Sequence, residues 1–504
     1  MLRNWVSVAC CLLASAANAD PRIPVFTTVD MPEHVYDGGW EHFVGGGVAS
    51  FDCNGDQYPE LYAAGGSNKA QLFINAGSEM LSFREQTPEA LSLTGVTGAY
   101  PLDMNGDGRQ DLAILRVGED VLMQGLGDCQ FAPFNDIGFE SSVAWSTAFS
   151  ATWEAGQTLP TLAIGTYVDR ADPDGPFEAC DASLLYRPEG ARYGPPQRLE
   201  PGYCALSLLF SDWNRTGRAD LRVSNDRHYY VRDGQEQLWA MEERPRLYSA
   251  DEGWTPFSIW GMGIASRDIS GDGYPEVYLT SMGDQKLQVF QPGGGPVWRD
   301  ATFERGTTAH RPHLGGDGRP STGWHSAFGD ANNDGRDDIF VAKGNVEQMP
   351  DAATRDPNSL LMQEANGQFV EIAGEAGVAS MAKGRGAALV DLNLDGALDL
   401  AVVNRGAPLE VFQNAGPSGN WVLIDVTAMG ANTKAIGAFI ELRSAAGIQT
   451  REITVGGGHV SGDGGLHHFG LGEMDTAEVR VIWQGRTVLE WQPIAANQIL
   501  RLQF

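Results

Sequence analysis

Asp330-Ala331-Asn332-Asn333-Asp334-Gly335-Arg336-Asp337-Asp338 is the stretch whose reading decides the fold of this chain. Oxygen-bearing side chains stand at its positions 1, 3 and 5, glycine at position 6, and a further carboxylate at position 9. Oxygens on alternate residues converge when a backbone curls around one hard cation, and glycine at position 6 permits the sharp turn. The phrase returns as Asp103, Asn105, Asp107, Gly108, Asp111 and as Asp391, Asn393, Asp395, Gly396, Asp399. Two copies are varied: Asp268, Ser270, Asp272, Gly273, Glu276, and Asp52, Asn54, Asp56, Glu60 with Gln57 in the glycine position. A sixth, Asp212, Asn214, Thr216, Gly217, Asp220, has a hydroxyl at position 5. One copy is explained as well by an Asp/Asn/Gly-rich turn as by an ion, but five near-complete copies with the final carboxylate favour the ion. The expectation is about five structural Ca2+ sites and a sixth, weaker one.

An EF-hand opens with the same letters but needs Glu at position 12 and a helix on either side. Here position 12 is Ala63, Ile114, Leu279, Val341 or Val402, each within an apolar, β-favouring run. Each loop therefore joins two strands. The copies recur at intervals of about 50 to 60 residues. After each comes a segment resembling Leu-Phe-x-Asn-x-Gly, and such segments begin near Leu72, Leu122, Leu185, Leu238, Leu287, Leu361 and Leu409. They outnumber the acidic phrases by one. The extra segment follows residues 145–165, where the strand persists without acidic ligands, and reads as a seventh repeat with a dead loop. Small residues upstream of the loops, Gly45-Gly46-Gly47, Gly98-Ala99, Gly261 and Gly263, Gly323, Gly384 and Gly386, suit closely packed innermost strands. The predicted fold is all-β: a seven-bladed β-propeller over residues 20–418 and a small β domain over 419–504.

Composition agrees. A chain of 504 residues with 42% hydrophobic content can bury a large core, and Gly 63 with Pro 26 points to tight turns between short strands. Asp+Glu 65 against Lys+Arg 35 gives a formal charge of -30, which repels nucleic acid and anionic lipid and favours cations. Residues 1–19 hold an early Arg3, an apolar run over 5–13 and Ala17-Asn18-Ala19, the pattern of a cleaved signal peptide that also contains Cys10 and Cys11. The expected location is the periplasm or the cell exterior, as a monomer without a membrane span. Cys53, Cys129, Cys180 and Cys204 then remain for disulfides with three possible connectivities, of which Cys180 with Cys204 brackets one short insertion.

The loops and their period resemble the FG-GAP (VCBS) repeats of integrin α-subunit propellers over roughly residues 44–414. The tail carries Asn432-Thr433-Lys434-Ala435-Ile436-Gly437-Ala438, Gln449-Thr450-Arg451-Glu452, His468-Phe469-Gly470-Leu471-Gly472 and Val481-Ile482-Trp483, and is similar to an ASPIC/UnbV domain. The pairing resembles the cartilage acidic protein family, whose many bacterial members are exported. The resemblance implies architecture more than ligand. Family members usually carry an aromatic where this chain has His459.

No GxSxG, HExxH, Walker loop or paired CxxC occurs. Trp145, Trp260, Trp324, His325 and Arg385 fall at or near corresponding inner-strand positions, where they would ring one channel mouth as a ligand-binding pocket or, alternatively, plug the axis. His310, Arg311, His313, Lys343 and Asn345 add donors nearby. His459, His467 and His468 with Asp463 form a possible transition-metal group, although glycines surround them and His468 sits in the tail's own His-Phe-Gly-Leu-Gly phrase. Two functions follow. The first is a calcium-stabilised adhesion or scaffold module that binds protein or glycan. The second is a calcium-dependent enzyme on a polysaccharide or small substrate, with His325 as acid/base and Arg385 as anion holder. They differ on whether His325, Arg385 and a tryptophan share a water-accessible pocket.

Overall fold

In the computed structural model every acidic phrase closes a hairpin of one register. Phe51 pairs with Glu60, Leu102 with Asp111, Ser211 with Asp220, Arg267 with Glu276, Gly329 with Asp338 and Val390 with Asp399. Position 9 is thus the first paired residue of the second strand, and the apolar run behind it forms that strand. Thr152 pairs with Thr161 at the same spacing, so the repeat without acidic ligands keeps the hairpin. Residues 23–172, 179–226, 234–416 and 419–504 are described, and the expected signal peptide lies outside them.

Among the described residues four-stranded antiparallel units succeed one another seven times. Their inner strands are Val48–Phe51, Val96–Leu102, Val143–Thr152, Ala205–Ser211, Gly261–Arg267, Gly323–Gly329 and Lys383–Val390. The second and third units are fused, because Asp111–Glu119 pairs with both Val96–Leu102 and Val143–Thr152. The fourth strand of the seventh unit comes from the other end of the chain, where Phe26–Val29 pairs with Glu410–Asn414. Inner strands touch in chain order, and the first also touches the seventh. The only α-helix among the described residues is Ala373–Ala376.

The recurrent Leu-Phe-x-Asn phrase has two physical jobs. All seven of its leucines are buried, and they fill the layers between successive sheets; Leu287, for instance, packs in one cluster with Phe328, Ile339 and Leu361 of the next unit. The amide at the end of the phrase crosses to the neighbouring unit. Asn75 Nδ2 donates to Leu392 O at 2.8 Å, Asn414 Nδ2 to Ala331 O at 2.9 Å and Gln363 Nε2 to Ile269 O at 3.2 Å. Each acceptor is position 2 of the preceding unit's loop, so sheet packing and loop shape are tied together.

Beyond residue 419 lie two further sheets. Asn420–Thr427 is flanked by His467–Gly472, antiparallel, and Gln498–Gln503, parallel. Gly447–Glu452, Ala438–Ser444, Thr476–Trp483 and Arg486–Ala495 form the other, all antiparallel. Of the three connectivities the cysteines allow, the chain uses Cys180–Cys204 with Cys53–Cys129.

Candidate functional site

The segment 453–463 leaves the C-terminal sheets and runs between the inner strands, where it touches all seven units. Ser150 Oγ donates to Val455 O at 2.6 Å, Gly457 N–H to Leu208 O at 2.7 Å and Gly458 N–H to Ile264 O at 2.6 Å. His459 N–H donates to His325 Nδ1 at 3.0 Å, Val48 N–H donates to Ser461 Oγ at 3.1 Å, and Ala99 bridges to Ser461. At Gly386 a Cβ would stand 2.3 Å from Ser461 Oγ. The inner glycines therefore have a reason beyond close strand packing. A Cβ at Gly47 or Gly98 would lie 1.8 or 2.0 Å from Val460 O. Gly456, Gly457 and Gly458 all have positive φ, which lets three successive residues bend through the crowded centre.

Trp324, His325 and Arg385 do converge, but on this inserted segment rather than on an open mouth. Trp324 is fully buried, donates from Nε1 to Gly344 O at 2.8 Å, and lies between the Arg385 guanidinium, 4.1 Å above its ring, and the His459 ring, 5.0 Å away. Arg385 spends its donors on the carbonyls of Phe43, Gly384, Asn345 and Val346. Burial lowers its pKa to about 9 and that of His325 to about 4. Trp145 is buried against Trp40 and Tyr167, with centroids 4.9 Å away in each case, and Trp260 packs partly buried on the same cluster with Met262 and Met282. Trp145, Trp324 and Arg385 are packed core rather than the lining of a water-accessible pocket, because the chain's own tail fills the space a ligand would need, and His325 instead lines a cavity of about 210 Å³ with Arg451, Gly456, Gly457 and Gly458. Lys343 and Asn345 are buried too, Lys343 against Asp356 at 3.1 Å, which leaves His310 and Arg311 at the surface.

The C-terminal histidines do not form a metal group. His459 donates from Nδ1 to Leu206 O and accepts the Gly45 N–H at Nε2, each at 3.3 Å, while His468 Nε2 meets Gly396 O at 3.0 Å. Burial holds both rings neutral, with pKa values near 3.

In the acidic loops the position-1 carboxylate organises the turn. Its Oδ2 accepts the N–H of position 6 in all six copies, at 2.7 to 2.9 Å. The position-9 carboxylate accepts the N–H of position 2 in five copies, at 2.8 to 3.0 Å. In the Asp212 copy the Trp213 indole takes that place on Asp220, at 3.0 Å. In the copies at Asp111, Asp338 and Asp399 the other oxygen accepts a third-strand N–H as well, and at Asp220 it accepts the N–H of Met241, the residue directly after the third strand. Glu60, Asp111, Asp220, Glu276, Asp338 and Asp399 therefore pin the hairpin, a role the spacing alone did not reveal. The third unit, lacking these oxygens, is held by Glu154, which accepts from Thr161 Oγ1 at 2.8 Å and Arg187 Nε at 2.7 Å.

The loops also require positive φ at position 4, where Arg215, Asn333 and Leu394 stand in place of the glycines of other copies. At position 6 only Gln57, φ 77°, is not glycine. An L-residue there costs about 1–2 kcal/mol, so Gln57→Gly should stabilise the protein by about 1 kcal/mol. Chemical denaturation checks this, and an unchanged midpoint would mean that the Gln57 side chain offsets its backbone strain.

The donor set suits a hard cation. Burial, reinforced by mutual repulsion within the loop, raises the carboxyl pKa values of Asp330 and Asp338, and Asp391 rises to about 7 for the same reasons. Asn393, at ligand position 3, keeps a buried Oδ1 without a hydrogen-bond partner. Among the described residues, however, the carboxylates at positions 1, 5 and 9 of no loop come within 4.8 Å of one another as a set. The one trio that does is Cys53, Glu60 and Cys129, and its sulfurs form a disulfide.

Comparison with known proteins adds identity to this geometry. A family model described as FG-GAP-like repeat matches residues 52–114 and 268–341, and one described as ASPIC and UnbV matches 428–504. No curated protein matches the chain. Solved structures that resemble it include BBS1N in complex with ARL6DN, soaked with lead, at 11% identity and TM-score 0.44, covering 79% of this chain and 99% of that one. The mercury-soaked form of the same complex gives 10% and 0.43, covering 78% and 98%. An Agrocybe aegerita lectin described as recognising non-reducing terminal N-acetylglucosamine gives 13% and 0.31, covering 74% and 81%.

Proposed function

We propose that this chain, whose FG-GAP-like repeats lead into an ASPIC/UnbV domain, is an exported, calcium-stabilised propeller of seven blades that binds a protein or glycan on the face away from its acidic loops. One observation carries the reading: the tail fills the centre and its domain rests on the loops, through Thr433 on Asp103, Arg451 on Asp337 and Glu441 on Arg215, so recognition falls to the opposite face. The insertion 309–322 precedes an inner strand whereas the acidic loops follow the inner strands, which puts the two on opposite faces. Arg311 and Arg319 are exposed on it. Arg311 donates to Gly318 O and Arg319 pairs with Asp317 at 3.8 Å, and these two guanidiniums are the groups an acidic partner would meet there. Two disulfides support export, since such bonds persist in oxidising compartments. No helix of the described residues is long and apolar enough to cross a membrane. The enzymatic reading gains no support from Arg385, whose donors are spent on the chain's own carbonyls, while His325 has its Nδ1 taken by the His459 N–H.

Binding is tested by glycan and protein arrays with the purified chain and with Arg311→Glu/Arg319→Glu. The double variant should bind at least about tenfold more weakly and melt like the parent. Undiminished binding would reject this face.

When bound, calcium would be held by the oxygens of positions 1, 3 and 5 with the position-9 carboxylate behind them, supplying charge compensation to buried acids. The Asp212 copy should fill last, because Thr216 Oγ1 donates to Asn214 Oδ1 at 2.9 Å and Arg215 supplies a cation nearby. Anomalous calcium density that is equal at all six loops would contradict this order.

A further inference from the structure

The cavity of about 210 Å³ that His325 lines lies between the inner strands, the inserted segment and the C-terminal domain. Two arginines reach its wall: Arg267, the last residue of the fifth inner strand, and Arg451 from the strand Gly447–Glu452. Among the described residues their only ion-pair partner is Asp337, 4.0 Å from Arg267 and 3.0 Å from Arg451. Arg267 Nη1 and Arg451 Nε have no hydrogen-bond partner among the described residues. The same holds for the Oγ of Ser326, a buried residue on the same wall. His325 Nδ1 accepts the His459 N–H, so the neutral ring carries its proton on Nε2 as a further donor.

The remaining carboxyls on the cavity wall do not pair with these arginines. Glu452 accepts Ser211 Oγ and the Asp212 N–H, and burial raises it to about 8. Asp463 accepts the Gly465 N–H and forms an ion pair with neither guanidinium. Burial, and after it the like charge of Arg267, lowers Arg451 to about 9. Two guanidiniums on one carboxylate thus leave charged donors unpaired in the interior, an arrangement that is costly until something supplies acceptors.

We propose that this cavity is a binding site for a small oxyanion, a carboxylate or a phosphate, held by Arg267 and Arg451 with Ser326 and His325 as further donors on its wall. A planar guanidinium fork matches the oxygens of either group. Leu209, Ile264 and Leu389 also line the cavity and suit the short apolar body of an organic anion. A route leads in from the surface. A narrow space of about 40 Å³ shares Asp463, Gly465 and His467 with the cavity, and shares Gln110, Asp425 and Lys434 with a cleft of about 370 Å³ beside the first two acidic loops. The site lies under the C-terminal domain and is independent of the outer face proposed above.

Equilibrium dialysis of the full chain tests this, with labelled inorganic phosphate in one arm and labelled butyrate in the other. One anion should bind per chain, and the arm with the tighter binding identifies the source as inorganic or organic. Arg267→Gln should weaken that binding at least about tenfold, and its melting curve shows that it is folded, since Arg267 gives up only the long pair with Asp337. Arg451→Gln should weaken it as much; if that variant unfolds, Arg267→Gln decides alone. Arg311→Glu/Arg319→Glu should bind the anion as the parent does, which separates this site from the outer face. The proposal is overturned if neither anion binds with a Kd below about 10 mM, or if folded Arg267→Gln binds as tightly as the parent.

Discussion

Gly98→Ala should destabilise the protein by about 3 kcal/mol or more. The new methyl group would stand 2.0 Å from the carbonyl oxygen of Val460 and 2.6 Å from that residue's Cβ. Neither is the far end of a flexible side chain, so relief requires moving segment 453–463. That segment also passes Gly47 and Gly386, which leave no alternative track. Gly39→Ala is the control, since its Cβ meets nothing within 4 Å and its φ is ordinary; it should stay within about 0.5 kcal/mol. Thermal and urea melts of both variants in calcium decide the matter. If Gly98→Ala melts like Gly39→Ala, the tail does not occupy the centre in solution.

Without calcium, stability should fall as pH rises from about 5 to about 8, and with saturating calcium it should not. Burial raises Glu60 to about 8 and Asp111 and Glu276 to about 7, with like charges in each loop adding to the shift. Unfolded carboxyls titrate near 4. Between those values the folded state holds more protons than the unfolded one, so the free energy of unfolding decreases with pH. The contribution is complete below about pH 4 and lost as pH passes the folded values near 7 to 8. A cation binds the ionised loops, so its stabilisation grows over the same window. Melting curves at several pH values, with calcium and with chelator, should diverge steadily above about pH 6. Parallel curves would mean either that the loops hold no ion or that these carboxyls are already ionised in the folded state.

The local chemistry of this protein is written in its sequence. The nine-residue phrase gives the hairpin, since the turn residues, the oxygens and the strand behind position 9 are all within reach of one another. Its repetition together with the seven buried leucines gives the succession of β units, and the spacing of the cysteines left few pairings to choose among. Positive φ at position 4 was only half legible, because Arg215, Asn333 and Leu394 do not announce a left-handed residue as glycine does. Trp324, His325 and Arg385 stood out as unusual, and they do meet. What they meet depended on Gly458 and His459, the latter 134 residues beyond His325 in the chain. Val48 and Ser461 are separated by 413 residues. Contacts of that range leave no periodic trace, because each inner strand supplies only one or two of them, and their partners lie on a segment whose three glycines read locally as a flexible turn. Whether the centre was a pocket or a packed core was therefore decided by tertiary structure alone: the backbone that fills it comes from another domain, and only its steric demand on Gly47 and Gly98 marks the path.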